Sequence, residues 1–259
     1  MKLSWYGTAA VMLESEGSRI VFDPFLGLPL KDALCRRELA AIRYRTADAV
    51  LVTHGHFDHI LDIPSLYRDS DVLIYATKTP CHTLLAHGVN KDKLQLIAPG
   101  SAVSIGSFRI TAYQGRHCRF DLGVILKTVL KKDTLLHPQR LIELLQLNRR
   151  YPENGETLLY EIEAEGKRIQ LTGSMGLDAD TRYPTNADVL ILPFQGTGDP
   201  AATVMPIIRQ LKPKAVYLDH YDDAFPPLSS RINTLRFTSK LLFGGLPAAA
   251  MKYGKVYEI

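Results

Sequence analysis

The stretch Thr53-His54-Gly55-His56-Phe57-Asp58-His59 comes directly after an apolar run, Ala-Val-Leu-Val at residues 49–52. The run is typical of a buried strand, so three imidazoles and one carboxylate follow at the point where that strand ends. His54 and His56 are two residues apart and point the same way on an extended backbone. Imidazole and carboxylate are the ligands that borderline and hard divalent cations prefer. The stretch therefore predicts a metal site.

The composition indicates one globular domain over residues 1–259, because 46% of the residues are apolar and no linker divides the chain. Neither a signal peptide nor a run of membrane-spanning length is recognisable, which predicts a protein that has no membrane partner. Three cysteines at irregular spacing do not indicate a disulfide framework. We therefore expect a reduced, cytoplasmic location.

Short strands and helices alternate along both halves of the chain, which is typical of βαβ units. Residues 14–20 are paralleled by residues 163–169, with Glu-Gly at the same place in each, and this parallel indicates an internal duplication. The predicted strands lie at residues 2–6, 10–14, 19–23, 48–53, 71–76, 93–97, 102–103, 107–113, 188–192, 215–218 and 255–259. The predicted helices lie at residues 36–44, 60–67, 80–87, 203–211 and 230–243.

Two such halves predict an α/β fold in which two sheets pack face to face with helices outside. Functional groups gather beyond the carboxyl ends of strands in open sheets. His54, His117 and His220 all follow predicted strands, so we expect the fold to bring them together.

The pattern His-x-His-x-Asp-His after an apolar strand resembles the signature of the metallo-β-lactamase superfamily. The resemblance implies a four-layer αββα sandwich of two mixed sheets and a metal-dependent hydrolase. By similarity, His54, His56 and His117 form one metal subsite, and a second one consists of Asp58, His59 and His220. Asp23 is similar to an aspartate behind the histidine loop that accepts a histidine N–H. Alternatively, Asp23 caps the turn at Pro24.

One motif departs from the family pattern. Family members carry Gly-Asp where this chain has Gly173-Ser174, and that aspartate bridges two metals. A wrong alignment is the alternative, in which Asp178 or Asp180 supplies the carboxylate. With Ser174 in place, we expect one tightly bound ion and a second that is weak or absent. Zinc is the expected metal, and the mixed nitrogen and oxygen ligands also admit manganese, iron or nickel.

Among branches of the superfamily, the chain resembles the L-ascorbate-phosphate lactonase-like (UlaG-like) group. The likeness rests on Trp5-Tyr6-Gly7, on Ile-Val-Phe-Asp-Pro at residues 20–24 and on Leu-Lys-Pro-Lys-Ala-Val at residues 211–216. The Glu/Cys/His pattern of antibiotic-degrading β-lactamases is missing, so a resistance enzyme is not expected.

A basic insertion at about residues 118–153 separates the two halves. Residues 116–150 carry eight basic and three acidic side chains, a net charge of +5. Two amphipathic segments, 121–130 and 138–147, predict a helical lid, a dimer surface or plain core packing. A solvated helical face is the alternative to an anion-attracting surface. If the insertion is a lid, Arg116 and Arg119 face the substrate.

The sequence thus predicts a hydrolase that uses a metal-bound hydroxide on an ester, lactone or phosphoester bond of a small anionic substrate. Asp58 is expected to orient the water or move its proton, and Ser174 to hydrogen-bond the hydroxide or the substrate. One alternative is a phosphodiesterase or nuclease, although no nucleic-acid module is recognisable and nucleic acid is not the expected partner. Another is a non-catalytic metal-binding protein that lost the bridging aspartate. A homo-oligomer is compatible with these readings.

Overall fold

The computed structural model describes residues 1–27, 34–118 and 130–259. Each of its two sheets has seven strands, in the orders β14-β1-β2-β3-β4-β5-β6 and β13-β12-β11-β10-β9-β8-β7. The first sheet consists of β1 Lys2–Trp5, β2 Val11–Ser15, β3 Ser18–Phe22, β4 Ala49–Leu51, β5 Leu73–Ala76, β6 Leu94–Leu96 and β14 Val256–Glu258. The second sheet consists of β7 Ala102–Ile105, β8 Phe108–Gln114, β9 Leu158–Ala164, β10 Lys167–Thr172, β11 Val189–Pro193, β12 Val216–Asp219 and β13 Ala248–Ala250.

The helices of the described residues lie on the outer faces of the two sheets. They are α1 Leu34–Tyr44, α2 Phe57–Ile60, α3 Ile63–Tyr67, α4 Lys78–Ala86, α5 Lys132–Leu136, α6 Pro138–Arg150, α7 Pro200–Leu211 and α8 Leu235–Phe243, with a 3₁₀ turn at Lys91–Lys93. None of the helices in this part of the chain is long and apolar enough to cross a bilayer.

Alternation along the strands explains why the sheets pack face to face. Leu13 and Ile20 of the first sheet join Ile110 and Ile162 of the second in one buried apolar cluster. In the first sheet, neighbouring residues of the same strands point the other way, because successive side chains alternate between the faces of a sheet. They form a second cluster with the helices α1 to α4; its members include Met12, Val21, Val50, Tyr44, Ile60, Leu66 and Leu84. The predicted four-layer αββα sandwich is confirmed.

The two halves repeat one hairpin. Strands β2 and β3 meet at Glu16-Gly17, and strands β9 and β10 meet at Glu165-Gly166. All four turn residues have positive φ, between 46° and 84°, as a two-residue turn of type I′ requires. Ser15 Oγ of the first turn donates to Glu165 Oε1 of the second at 2.7 Å, so the hairpins also contact each other.

The strand that follows each hairpin is entered in the same way. Arg19 N donates to Asp48 Oδ2 at 2.7 Å, and Asp48 N donates back to Arg19 O at 2.8 Å. In the second half, Arg168 N and Asp188 Oδ2 are 2.8 Å apart, and Asp188 N and Arg168 O are 2.8 Å apart. The parallels predicted from the sequence at residues 14–20 and 163–169 are thus equivalent in structure.

Two predicted helix boundaries were wrong. A helix over 60–67 would place Pro64 in its interior, where proline lacks an N–H and clashes with the preceding turn. The chain instead breaks after α2 and restarts at α3, where Pro64 lies in the first turn. The helix predicted over 230–243 begins only at Leu235, whose N–H is accepted by Asn233 Oδ1 at 3.0 Å. Before it, Ile232 N donates to Tyr221 O at 2.8 Å.

Within the insertion, the predicted helix over 138–147 is present as α6. The other predicted segment, 121–130, lies outside the described residues except for Leu130.

Candidate metal centre

The first group of candidate ligands forms where the chain leaves β4. His54 is buried, and its Nε2 lies 3.1 Å from His56 Nδ1. His117 follows β8, and its ring centroid lies 5.0 Å from that of His54 and 4.5 Å from that of His56. The ligand atoms of the three histidines all lie within 4.8 Å of one another. Three imidazoles therefore converge on one point, as a divalent cation requires.

The second group combines the same stretch with the end of β12. Asp58 Oδ2 lies 3.0 Å from His220 Nε2, and Asp58 Oδ1 lies 3.9 Å from His59 Nε2. The candidate ligand atoms of these three residues also lie within 4.8 Å of one another. Because the ring centroids of His54 and His59 are only 3.9 Å apart, the two groups share one cleft.

A buried carboxylate fixes the histidine loop from behind. Asp23 Oδ1 accepts from Thr53 N at 2.8 Å, and its Oδ2 accepts from Thr53 Oγ1 at 2.6 Å. The same Oδ2 lies 2.8 Å from His59 Nδ1. A carboxylate on one ring nitrogen sets the tautomer of a histidine and directs the other nitrogen at the cleft. Asp23 therefore contacts Thr53 and His59 through its carboxylate, whereas its alternative role was to cap the Pro24 turn.

The tautomer of His117 is set by a carbonyl. His117 Nδ1 lies 2.8 Å from Cys118 O, and a carbonyl oxygen can only accept, so Nδ1 carries the proton. The lone pair of this ring is therefore on Nε2.

The two groups differ in charge. Burial lowers the pKa of His54 well below its usual value and that of His56 to about 4, and it also lowers the pKa of His117. Burial would lower the pKa of His220 as well, but the hydrogen bond and charge of Asp58 raise it to about 9. Burial would raise the pKa of Asp58, but the charge of His59 and the hydrogen bond with His220 hold it well below its usual range.

These directions suit a cation directly in the first group, whereas a cation in the second group has to displace the proton of His220. The first group presents neutral imidazoles at neutral pH, which is the form that binds metal. The second group presents a carboxylate whose ion-pair partner is itself a candidate ligand. The donor set of five imidazoles and one carboxylate thus fits one or two divalent cations.

By its place in the sequence, Ser174 corresponds to the bridging aspartate of the family pattern. It is buried, and its Oγ accepts from Cys118 N at 3.1 Å, next to His117. Asp178 is occupied elsewhere, because its Oδ2 accepts from Thr181 Oγ1 at 2.8 Å and from Asp180 N at 3.2 Å. Neither Asp178 nor Asp180 belongs to a group of ligand atoms in the described chain.

The predicted substrate arginines are only partly described. Arg116 is exposed and directly precedes His117, and its backbone N donates to Gly176 O at 3.0 Å. Arg119 lies outside the described residues.

Helix α6 of the insertion packs beside the metal-binding stretch. Its Leu141, Leu144 and Leu147 contact the buried cluster that contains Phe57 and Phe225. Arg140 donates to Pro226 O from Nε and Nη2, at 3.3 and 3.1 Å. Its guanidinium carbon lies 5.0 Å from the centre of the Phe225 ring. The inner face of this helix therefore has the core-packing role, the simplest of its predicted alternatives.

Sequence reasoning missed the residues around His220. Asp219 is buried beside it, and burial raises the pKa of this carboxyl to about 7. Asp219 Oδ1 and His220 Nδ1 are buried and make no hydrogen bond within the described residues. Asp222, two residues further on, accepts from the backbone of Thr8. The acidic run around His220, Asp-His-Tyr-Asp-Asp at residues 219–223, was the available signal.

Comparison with known proteins agrees with this geometry. Residues 2–218 match the family described as the β-lactamase superfamily domain. A UPF0173 metal-dependent hydrolase of Anoxybacillus flavithermus is 28% identical over 242 residues, which cover 87% of this chain and 88% of that protein. Another UPF0173 metal-dependent hydrolase, from Polynucleobacter asymbioticus, is 26% identical over 231 residues, which cover 85% of this chain and 74% of that protein. In fold, the chain is similar to Igni18, a metallo hydrolase from Ignicoccus hospitalis, with a TM-score of 0.67, 20% identity and coverage of 100% and 98%.

The fold and the two ligand groups define a metal-dependent hydrolase. The chain belongs to the β-lactamase superfamily, whose domain covers most of its length. The predicted superfamily and enzyme class are confirmed.

Proposed function

We propose that the chain hydrolyses an ester, lactone or phosphoester bond in a small anionic substrate. The observation that carries this proposal is the junction of two ligand groups in one cleft, with His54 and His59 rings 3.9 Å apart. When bound there, a divalent cation supplies a more acidic water and stabilises negative charge on the oxygen of the attacked bond.

Asp58 and Ser174 have distinct parts in this proposal. Asp58 is ionised at neutral pH, because its surroundings hold its pKa far below 7, and as a carboxylate it accepts a hydrogen bond from the attacking water, which it orients or whose proton it moves. We expect Asp58→Asn to lower kcat by about 10²- to 10⁴-fold, the usual contribution of a positioned base. Ser174, whose Oγ accepts from Cys118 N next to His117, hydrogen-bonds the substrate or the water.

The substrate's charge is inferred from the basic residues beside His117. Guanidinium groups suit phosphate and carboxylate because they donate in a planar fork. Neutralising Arg116 and Arg119 should raise KM for an anionic substrate without lowering kcat. An unchanged KM would remove the argument for an anionic substrate.

The metal we propose is zinc, with one ion held tightly and a second that is weak or absent. Ser174 offers no negative charge between the two groups, and a hydroxyl is a poorer metal ligand than a carboxylate. Metal analysis of protein purified without added metal tests both points. Two equivalents retained through dialysis would contradict the role we give Ser174.

Three substrates separate the alternatives. We expect hydrolysis of a phosphorylated lactone, which would also support the lactonase-like branch. Hydrolysis of bis-nitrophenyl phosphate alone would favour a phosphodiesterase, and turnover of a thioester alone would point to acyl transfer to water. Bound metal with no turnover of any of the three would favour a non-catalytic metal-binding protein.

A cytoplasmic location and a homo-oligomer belong to the same proposal. The outer face of α6 exposes Ile142 and Leu145, at 55% and 61% of their surface, which is compatible with a contact between copies.

A further inference from the structure

The loop between β1 and β2 contacts the candidate ligand His220 through its backbone. Thr8 O accepts from His220 N at 2.8 Å. The same oxygen accepts from Trp5 Nε1 at 2.8 Å. The carbonyl of Thr8 therefore holds the backbone of a residue more than two hundred positions away.

The opposite side of the same residue is held by Asp222. Its two carboxylate oxygens lie 3.1 and 3.0 Å from Thr8 N. A side chain on Gly7 would crowd this contact, since a Cβ built there lies 3.2 Å from Asp222 Oδ2. These hydrogen bonds, together with the backbone of residues 220–222, close a ring through Thr8, which we call the Thr8 clamp.

The clamp acts where the backbone is strained. His220 has φ of 46° and Thr8 has φ of 47°, the left-handed region that side chains other than glycine rarely adopt. Each such residue persists only where its surroundings fix it. The left-handed turn at His220 places its Nε2 3.0 Å from Asp58 Oδ2, so it sets the geometry of the second ligand group.

We propose that Asp222 is a positioning residue which, through Thr8, holds His220 in place for a divalent cation in the Asp58/His59/His220 group. This inference rests on the proposed function, because it assigns that group to a cation. Carboxylates that orient a metal ligand from behind usually contribute 10- to 100-fold in metal affinity. The clamp differs in that it acts on the backbone of the ligand rather than on its ring.

A purely structural role for Asp222 is the competing explanation. Trp5 also stacks on Tyr221, with ring centroids 5.2 Å apart, and this contact holds the two loops together independently of the carboxylate. A purely structural role would lower the Zn²⁺ affinity of both ligand groups equally. A positioning role would lower the affinity of the second ligand group selectively.

The test uses three variants of the full chain, each freed of metal and titrated with Zn²⁺ by calorimetry. Asp222→Ala removes both acceptors, Asp222→Asn keeps one, and Asp223→Asn changes the exposed neighbour. We expect the weaker of two Zn²⁺ affinities to fall 10- to 100-fold in Asp222→Ala. Asp222→Asn should recover most of that loss, the tighter affinity should stay unchanged in both, and Asp223→Asn should match the wild type.

Amide hydrogen exchange of the metal-free proteins gives a second readout. The amides of Thr8 and His220 should exchange faster in Asp222→Ala than in Asp222→Asn. Wild-type exchange at His220 in Asp222→Ala, an equal loss of both Zn²⁺ affinities, or a wild type that binds a single ion would each overturn the inference. A wild type that binds no Zn²⁺ at all would instead overturn the proposed function.

Discussion

Gly55 separates the two histidines of the first ligand group and has no room for a side chain. A Cβ built on it would lie 2.3 Å from Pro152 O, in the segment that connects α6 to β9. Backbone atoms cannot move aside as the end of a side chain can. The residue type at position 55 is therefore set by the approach of a distant segment to the metal-binding stretch.

We predict that Gly55→Ala displaces this stretch. Overpacking of this kind costs about 1–3 kcal/mol, so thermal unfolding should show a lower Tm. The retained metal, measured after dialysis, should fall as well, because His54 and His56 move with the backbone.

Gly244→Ala is the matched control. Gly244 ends α8 with φ of −78°, and a Cβ there would meet no atom closer than 3.3 Å. Its Tm and metal content should stay near those of the wild type. Equal effects of both changes would show that position 55 has no special constraint.

Residues of the site were predictable where their signal was local. Four candidate ligands fall within the seven residues 53–59. The predicted strand end before them indicated that they lie at the carboxyl edge of the sheet. Thr8 and Asp222 were missed because 214 positions separate them and the link runs through a backbone amide. Such contacts leave no pattern in residue type, since any residue except proline donates a backbone N–H.

At the scale of elements, α6 is tied to the loop after β12 by one arginine. Arg140 bonds Pro226 O, lies over Phe225 and pairs with Glu143 Oε2 at 2.6 Å. Phe225 in turn contacts Phe57 of the metal-binding stretch, with ring centroids 5.8 Å apart. The helix is thus connected to the site through a cation–π contact and an edge-to-face aromatic contact.

Arg140→Ala should therefore loosen α6 without unfolding the sandwich. The lost cation–π contact and hydrogen bonds are together worth about 1–2 kcal/mol. Amide exchange in α6 should accelerate, while exchange in β9 and β10 stays unchanged. Arg150→Ala, at the exposed end of the same helix, should leave exchange unaltered; acceleration in both variants would show that the tie to Pro226 is unimportant.

The paired corners Arg19–Asp48 and Arg168–Asp188 give a prediction that depends on pH. The Lys214 side chain, followed by the backbone N–H of Arg168, holds the pKa of Asp188 below its usual value. A folded-state pKa below the unfolded one stabilises the fold above the unfolded pKa of about 3.9. That contribution is lost as the pH falls through the folded-state value.

We expect Asp188→Ala to lower the free energy of unfolding by about 1 kcal/mol at pH 7, since the side chain is partly exposed. The difference from the wild type should shrink as the pH falls below about 4. Denaturant unfolding across this range measures it. A difference that stays constant with pH would mean that the carboxylate's charge contributes nothing.

The order of strands and helices was predictable from the sequence, but some of their boundaries were not. Short β-rich runs around a glycine turn located the strands of the first hairpin, whereas the second hairpin was indicated only by the parallel between residues 14–20 and 163–169. The break between α2 and α3 depends on Pro64 together with the bond from Leu26 N to Asp62 Oδ2, at 2.8 Å, which joins distant segments. Local periodicity favoured a continuous helix there because it carries no information on that contact.

For the molecule as a whole, bound metal should contribute to stability. A ligand that binds only the folded state stabilises it by about 2.7 kcal/mol at one hundred times its Kd. Chelator treatment should lower Tm, and Zn²⁺ should restore it. His54→Ala should remove most of this increment, whereas His82→Ala, an exposed histidine on α4, should keep it. A Tm that does not respond to metal in the wild type would contradict a folded-state cation site.

The prediction of one domain over residues 1–259 came from the absence of a linker, and it stays a prediction. The pairing of the sheets was predicted from the two βαβ-like halves of the chain and from the resemblance to the superfamily. The sequence does not predict how closely the two sheets pack, because this depends on how side chains such as Tyr160 fit between them. Its hydroxyl reaches across to Val52 O at 2.8 Å, just before the metal-binding stretch.

Each ligand group takes residues from both sheets: His54 follows β4 and His117 follows β8 in the first group, and His59 follows β4 and His220 follows β12 in the second. The coordination of an ion in either group therefore depends on the position of the two sheets relative to each other. Cobalt bound in place of zinc is coloured. Its absorption spectrum would therefore report a relative shift of the two sheets even while every strand of both sheets remains folded.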